Sequence, residues 1–194
     1  AEGEDAARGH PSLLPAMAQR VLARAGIPAT ALDAIAVGVG PGGFTGLRAA
    51  IALAQGLAIG TGRPVIGVTS GEALVAALPS ELTRNRPVWS VVDDRRGAVF
   101  AEFFVRAASV PSAAACVLGL EALPWGEAPV VVGDATEMVL AEAARRGVDA
   151  VAGGPLLPDA TGVARVASLR LAGAIPAREA RPVYVEPPSV RPPA

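Results

Sequence analysis

Short unbroken apolar runs alternate along this chain with longer stretches whose apolar residues recur at helical spacing. The runs Ala34–Val39, Pro64–Val68, Val88–Val92, Ala98–Val105 and Val130–Val132 have the length and bounding residues of strands. Between them lie the helical stretches. Ser12–Ala25 places Leu13, Leu14, Met17, Val21 and Leu22 on one side, with Ser12 as N-cap, Pro15 in the first turn and Gly26 at the stop. That helix is expected to bury a face. Thr69-x-x-Glu72 forms a capping box for a helix reaching Leu78, which makes Glu72 a helix-cap carboxylate rather than a catalytic one. Asp134-x-x-Glu137 caps another helix, ending at Arg145-Arg146 and Gly147, and Thr161–Ala172 is a last helix stopped by Gly173. Strands alternating with helices define an α/β class with a partly parallel sheet.

The punctuation between these elements sets the organisation. Pro79–Pro87 is polar and bounded by proline, so it marks a boundary between a first α/β lobe, residues 1–84, and a second, residues 85–194. The opening AEGEDAARGH reads as a loop, residues 107–128 carry little pattern, and the tail from Pro182 is proline-rich and expected to be extended. Asp93-Asp94-Arg95-Arg96-Gly97 joins two strands as a hairpin. Its charges read as a solvated tip, with an active-site loop or phosphate-contacting patch as the alternative.

The centre of the pattern is Ala36–Ala58, AVGVGPGGFTGLRAAIALAQGLA, a buried strand, a glycine-rich turn and a helix with almost no polar surface. Gly38, Gly40, Gly42, Gly43 and Gly46, with Pro41 among them, permit positive φ and close backbone approach. Thr45 is placed as the N-cap of the helix Thr45–Ile59. At 100° per residue, Leu47, Ala50, Ile51, Ala54, Leu57 and Ala58 make one broad face, with Leu53 at its border. The opposite side carries only Ala49, Ala52 and Gly56, beside a narrow polar edge of Arg48 and Gln55. A helix this apolar all round is expected to be covered on more than one side. The small strip suits a second helix at close approach, either the chain's own Ser12–Ala25 or one from another subunit.

Gly38, Gly40 and Gly43 spell G-x-G-x-x-G between a strand and a helix. A dinucleotide site also needs a carboxylate ending the next strand, but Pro64–Val68 ends in Thr69-Ser70, and Asp93 and Asp94 end the strand after it. A phosphate loop needs a lysine, and all 17 basic residues are arginine. A tight strand-to-helix turn accounts for the glycines without a ligand.

Composition narrows the chemistry further. One histidine, one cysteine and one tyrosine leave few side chains for catalysis, and His10 has no second histidine with which to form a metal pair. No catalytic residue and no metal ligand is assigned. At 194 residues and 52% hydrophobic the chain can bury one core or two small lobes, and a net charge of −1 draws it to neither nucleic acid nor membrane. The single Cys116 fits a reducing compartment, no secretory signal opens the chain, and Arg48, Gln55 and the glycines argue against the alanine-rich helix spanning a bilayer. The reading is cytoplasmic and globular.

The stretch GVGPGGFTGLRAAIALAQGLA followed by PVIGVTSGEAL strongly resembles the TsaB family, non-catalytic subunits of the bacterial tRNA threonylcarbamoyladenosine machinery. The family pattern is close to GPGSFTGLR, from which this chain departs at Gly43. SVVDDRRGAVFAEFF resembles the family's D-A-R-R-G-E-V-Y strand pair, departing at Asp94, Ala98 and Phe100, and His10–Pro15 resembles its H-S-E-x-L-L-P helix start. The resemblance implies an actin-like ATPase (ribonuclease H-like) fold of two related lobes. In that family the first lobe opens with an antiparallel hairpin that this sequence does not contain, so a nucleotide contact from such a hairpin is not claimed. It further implies a scaffold that pairs with the catalytic paralogue TsaD and the ATPase TsaE, forms a homodimer when alone, and meets tRNA only through the complex. No cofactor is assigned to the chain itself, and ATP or ADP enters at the level of the complex. On this reading Phe44, Thr45, Arg48, Ala49, Ala52, Gln55 and Gly56 form the partner interface, and Gly38, Gly40, Pro41, Gly42, Gly43 and Gly46 the structural turn. The competing expectation is a nucleotide-dependent kinase or oxidoreductase using the turn at residues 38–46.

Overall fold

A computed structural model describes residues 11–185. In chain order its elements are α1 (Leu14–Ala25), β1 (Ile35–Gly38), α2 (Phe44–Thr61), β2 (Val65–Val68), α3 (Ser70–Ala76), α4 (Ser80–Asn85), β3 (Val88–Asp93), β4 (Ala98–Phe104), β5 (Cys116–Gly119), β6 (Val130–Val132), α5 (Thr136–Arg146), β7 (Val151–Ala152) and α6 (Ala160–Leu171). They build two sheets. β1 and β2 form a parallel pair, with Ile35 opposite Val65 and Gly38 opposite Val68. The second sheet has the order β5-β4-β3-β6-β7, antiparallel across β5, β4 and β3 and parallel from β3 to β7.

Helices cover both sheets on both faces, which is why the strands read as near-continuous apolar runs. On one side of the small sheet, Ile35, Val37 and Val39 pack against Ile51 and Ala54 of α2. On the other, Ile66 and Val68 pack against Ala73 of α3 and Val166 and Ala167 of α6. The opposite side of α3 supplies Leu74, Val75 and Leu78 to a cluster with Val88, Phe104, Val130 and Val132 of the large sheet. The α3–α6 pair is therefore a layer shared by both sheets. Gly162 makes it possible, since a side chain there would run into the backbone carbonyl of Ala73. The outer face of the large sheet holds Trp89, Val91, Val99 and Val131 under Val139 of α5 and Leu123, with Trp89 edge-on to Trp125 at 5.3 Å.

Several expected local details differ. The residue before α2 is Gly43, with φ −58° and ψ 119° and no capping side chain, so Thr45 lies inside the first turn instead of capping it. Ser12 likewise falls in a short 3-10 turn, and Leu13 precedes α1 without a side-chain cap. Asp134 does not cap α5, which starts after Ala135. Asp134 instead accepts the Asp93 amide at 2.8 Å and pairs with Arg95 at 3.0 Å. The hairpin tip is thus tied to the β6–α5 turn, and only partly a solvated loop. Helix α1 buries none of its residues; Leu14, Met17 and Leu22 are half-buried, while Leu13 and Val21 stay exposed. Hydrophobic spacing fixes which face of a helix is apolar; it does not supply a cover for that face.

The Pro79–Pro87 segment contains α4 and lies in sequence between the strands of the two sheets. The second half nevertheless returns to the first: α6 and the segment after it pack on β1 and β2. The short edge strands β5 and β7 lie where the sequence pattern gave no signal. His10 and the tail beyond Val185 lie outside the described residues.

Candidate partner-binding face

The glycine turn serves geometry first. Of its glycines only Gly40 has a positive φ, +95°, and a Cβ there would sit 3.1 Å from Leu47 Cδ2. Gly38, Gly42, Gly43 and Gly46 meet nothing within 4 Å where a Cβ would stand. The peptide between Gly40 and Pro41 is cis. The Gly40 carbonyl accepts the Ser70 amide at 2.9 Å, and the Pro41 carbonyl accepts the Ser70 hydroxyl at 2.7 Å. The turn is thereby sewn to the start of α3, with two of its carbonyls already engaged. Among the described residues no group of three or more His, Cys, Asp or Glu side chains could hold a metal ion.

What the turn positions is α2. Its inner residues Ile51 and Ala54 are buried, whereas Phe44, Thr45, Arg48, Ala52, Gln55 and Gly56 are exposed and Ala49 is half-buried. Ile59, which the sequence reading left out of the strip, is 87% exposed and continues it. The strip is therefore not covered by α1, although the two helices touch. A contiguous exposed strip of small and apolar residues makes this face a candidate interaction surface. The length and apolarity of α2 also satisfy the minimum for a membrane span. Its packing argues otherwise, because inserting α2 would strip Ile51 and Ala54 from the sheet core.

The segment Arg178–Tyr184 borders this strip as a strap. Its backbone is held by Gly67 N–H to the Arg178 carbonyl at 3.0 Å and by Val183 N–H to the Val39 carbonyl at 2.8 Å. Gln55 Nε2 donates to the Ala180 carbonyl at 3.1 Å, and Arg48 Nε donates to the Tyr184 hydroxyl at 2.9 Å. The polar edge of α2 expected from the sequence is thus where the strap attaches. The Arg48 guanidinium lies 3.6 Å above the Phe44 ring and 5.5 Å from the Tyr184 ring.

Behind this face is a buried ionic junction that sequence spacing could not reveal. Thr69 and Glu72 do form the capping box: the Glu72 amide donates to Thr69 Oγ1 at 3.1 Å and the Thr69 amide to Glu72 Oε2 at 2.8 Å. The same Glu72 carboxylate accepts Arg170 of α6 at 2.5 and 3.1 Å and lies 3.5 Å from Arg178 of the strap. Glu102 of β4, only 2% exposed, accepts the Gly71 amide at 2.8 Å. Arg170 is hydrogen-bonded to Glu72, and Glu102 takes its hydrogen bonds from the neutral donors Thr69 and Gly71 while feeling the Arg178 charge only at a distance. Burial pushes its pKa up to about 7, only partly offset by hydrogen bonds from Thr69 and Gly71; the Glu72 charge adds to the rise and the Arg178 charge opposes it. Burial, with Glu102 contributing, also raises the Cys116 thiol.

Two sheets with helices on their faces and a shared helical layer, together with the likeness to TsaD-family and YeaZ proteins, define the class: an actin-like, ribonuclease H-like ATPase fold. Sequence comparison assigns the family. The model of the TsaD family, described as tRNA N6-adenosine threonylcarbamoyltransferase, matches residues 3–115, and the chain belongs to that family. It is 37% identical over 103 residues to the tRNA threonylcarbamoyladenosine biosynthesis protein TsaB of Haemophilus influenzae, covering 53% of this chain and 43% of that protein. The corresponding protein of Escherichia coli K12 is 37% identical over 93 residues, 48% of this chain and 40% of its own length. A tRNA N6-adenosine threonylcarbamoyltransferase of a Jannaschia species is 42% identical over 81 residues, 41% of this chain and 23% of that protein. The matches span about two-fifths of the length of the curated TsaB relatives. Among solved structures, the chain resembles a Pseudomonas aeruginosa protein described as uncharacterized with similarity to peptidase YeaZ. That likeness has a TM-score of 0.75 at 29% identity, over 94% of this chain and 87% of the other. YeaZ from the same organism gives a TM-score of 0.71 at 28% identity, over 90% and 84%. The likeness is thus to the TsaB and YeaZ proteins as well as to TsaD itself.

Proposed function

We propose that this chain is a non-catalytic scaffold subunit in the formation of N6-threonylcarbamoyladenosine beside the tRNA anticodon, docking TsaD through the outer face of α2. The observation that carries the proposal is the strip of Thr45, Ala52, Gly56 and Ile59, apolar or small and open along a helix whose inner face is already occupied. Small residues let a second helix approach closely and gain dispersion contacts along its length. A TsaD-family partner carries a counterpart of this helix, because the family match includes α2, so the two helices can meet about a pseudo-twofold axis. The same geometry accommodates a second copy of the chain, which makes a homodimer the resting form. TsaE, with ATP or ADP, joins at the level of the complex, tRNA is met through TsaD, and the setting is cytoplasmic. The alternative of a kinase or oxidoreductase working from the turn at residues 38–46 is disfavoured, because the lysine of a phosphate loop and the ribose-binding carboxylate of a dinucleotide site are missing.

The test is reconstitution. Purified chain is mixed with TsaD and TsaE from the same organism, ATP, a threonylcarbamoyl donor and unmodified tRNA, and the nucleoside is read by mass spectrometry. The expected result is a co-eluting complex with TsaD and modified adenosine only in the mixture that contains all the proteins. The chain alone should neither hydrolyse ATP nor modify tRNA. Turnover by the chain alone that disappears on changing Asp93 or Asp94 would overturn the scaffold reading.

A further inference from the structure

Two aromatic side chains are prominent among the large apolar residues that the described chain exposes, Phe44 at 56% and Tyr184 at 55%. They lie far apart in the sequence and meet at one place, with ring centroids 6.2 Å apart. Between them sits Arg48, stacked on one ring and donating to the hydroxyl of the other. The cluster stands at the N-terminal end of α2, next to Thr45, so it is continuous with the small-residue strip.

A surface cluster of Phe, Arg and Tyr is an uneconomical way to hold a strap. The backbone bonds at Val39 and Gly67, and that from Gln55 to Ala180, already fix its course. Half of each ring remains in water, although an aromatic ring is stabilised by leaving it. Aromatic and arginine side chains are instead the residues that dominate binding energy when a partner desolvates them. The Arg48 guanidinium is already placed over the Phe44 ring and bonded to the Tyr184 hydroxyl, so less side-chain freedom is lost when a partner covers it.

We infer that Phe44, Arg48 and Tyr184 form the anchor of the partner face, so that TsaD reads the C-terminal strap together with α2 and not α2 alone. The inference rests on the α2 docking reading and adds a residue 136 positions from Arg48 to that interface. The strip then acts as the close-packed rail along which the helices meet, and the aromatic stack as the point that fixes register and choice of partner.

The experiment measures the dissociation constant of the full chain with TsaD from the same organism by isothermal titration calorimetry. Unaltered chain, Tyr184→Ala, Tyr184→Phe, Phe44→Ala and Ala52→Glu are compared, each with its melting temperature. Tyr184→Ala and Phe44→Ala are expected to weaken binding by about tenfold or more, the range of an anchor residue. Tyr184→Phe keeps the ring and should stay within about threefold, since an exposed hydroxyl bond adds little. If Tyr184→Ala lowers the melting temperature, Phe44→Ala still decides, because it breaks no backbone bond of the strap. Binding unchanged in Phe44→Ala and Tyr184→Ala but abolished in Ala52→Glu would overturn the anchor and leave the α2 reading standing. Failure of the unaltered chain to bind TsaD would overturn both.

Discussion

Replacing Glu102 by glutamine should stabilise the protein at alkaline pH and destabilise it modestly at acidic pH. The carboxyl lies 2% exposed beneath the first turn of α3, with the Gly71 amide as donor, no ion pair of its own among the described residues, and only a weak offsetting field from Arg178. Its pKa is raised from 4.5 to about 7. The folded protein therefore holds this proton more tightly than the unfolded chain. The group is pH-neutral for stability below about 4.5, lowers stability progressively between about 4.5 and 7, and reaches its full penalty above 7. At ~1.4 kcal/mol per pH unit of displacement, that penalty is on the order of 3 kcal/mol. Glutamine keeps the acceptor for Gly71 and removes the charge, but brings an NH2 that needs a partner, which costs about 1–2 kcal/mol at every pH. The quantity to measure is the difference in unfolding free energy between Glu102→Gln and the unaltered protein, by urea titration at pH 5 and pH 8.5. That difference should shift in favour of the variant by roughly 2–3 kcal/mol between the two conditions. The other titrating groups are common to both proteins and cancel. A difference that stays constant within about 0.5 kcal/mol would refute the assignment of a buried carboxyl without a cation of its own.

Two further substitutions probe the same architecture. Arg170→Ala leaves the fully buried Glu72 with the Thr69 amide and, as its remaining cation, the more distant Arg178, and should lower the unfolding free energy by about 3–5 kcal/mol in chemical denaturation, while a loss below 1 kcal/mol would mean that Arg178 takes over. Gly43→Ser places a side-chain oxygen at the N-cap of α2, where a Cβ meets nothing within 4 Å, and should raise stability by a few tenths of a kcal/mol in thermal melts; a decrease would show that the N-cap geometry at Gly43 does not admit a capping side chain.

How much of this was legible in the sequence depended on the range of the interactions. The strand–turn–helix unit around Gly40, the capping box of Thr69 and Glu72 and the β3–β4 hairpin are local, and periodicity with short motifs located each within a residue or two. The α2 strip was legible as a pattern, with Ala52 and Gly56 opposite Ile51 and Ala54, because a helix of known pitch fixes which residues share a face. Asp134 shows where local rules fail. Its spacing to Glu137 fits a capping box, yet the Asp93 amide and Arg95 from another hairpin take its oxygens. Glu72 was read correctly as a cap, but its second role depends on Arg170, 98 residues away. The strap was missed for the same reason. Extended backbone between prolines has no periodicity, and only the fold brings Ala180 and Tyr184 to α2. Edge strands as short as Val151–Ala152 are too brief for any pattern to register.

The measurement that bears most directly on the scaffold reading is binding of TsaD to the chain carrying Ala52→Glu. Ala52 is exposed in the chain alone, so the substitution should leave circular dichroism and melting temperature nearly unchanged. In a helix–helix contact the new carboxylate would be buried without a partner, at a cost of several kcal/mol, which removes measurable association. The expected result in calorimetry is binding by the unaltered chain and none by the variant. A folded variant that binds TsaD as tightly as the unaltered chain would contradict the account, and the interface would have to lie elsewhere on the molecule.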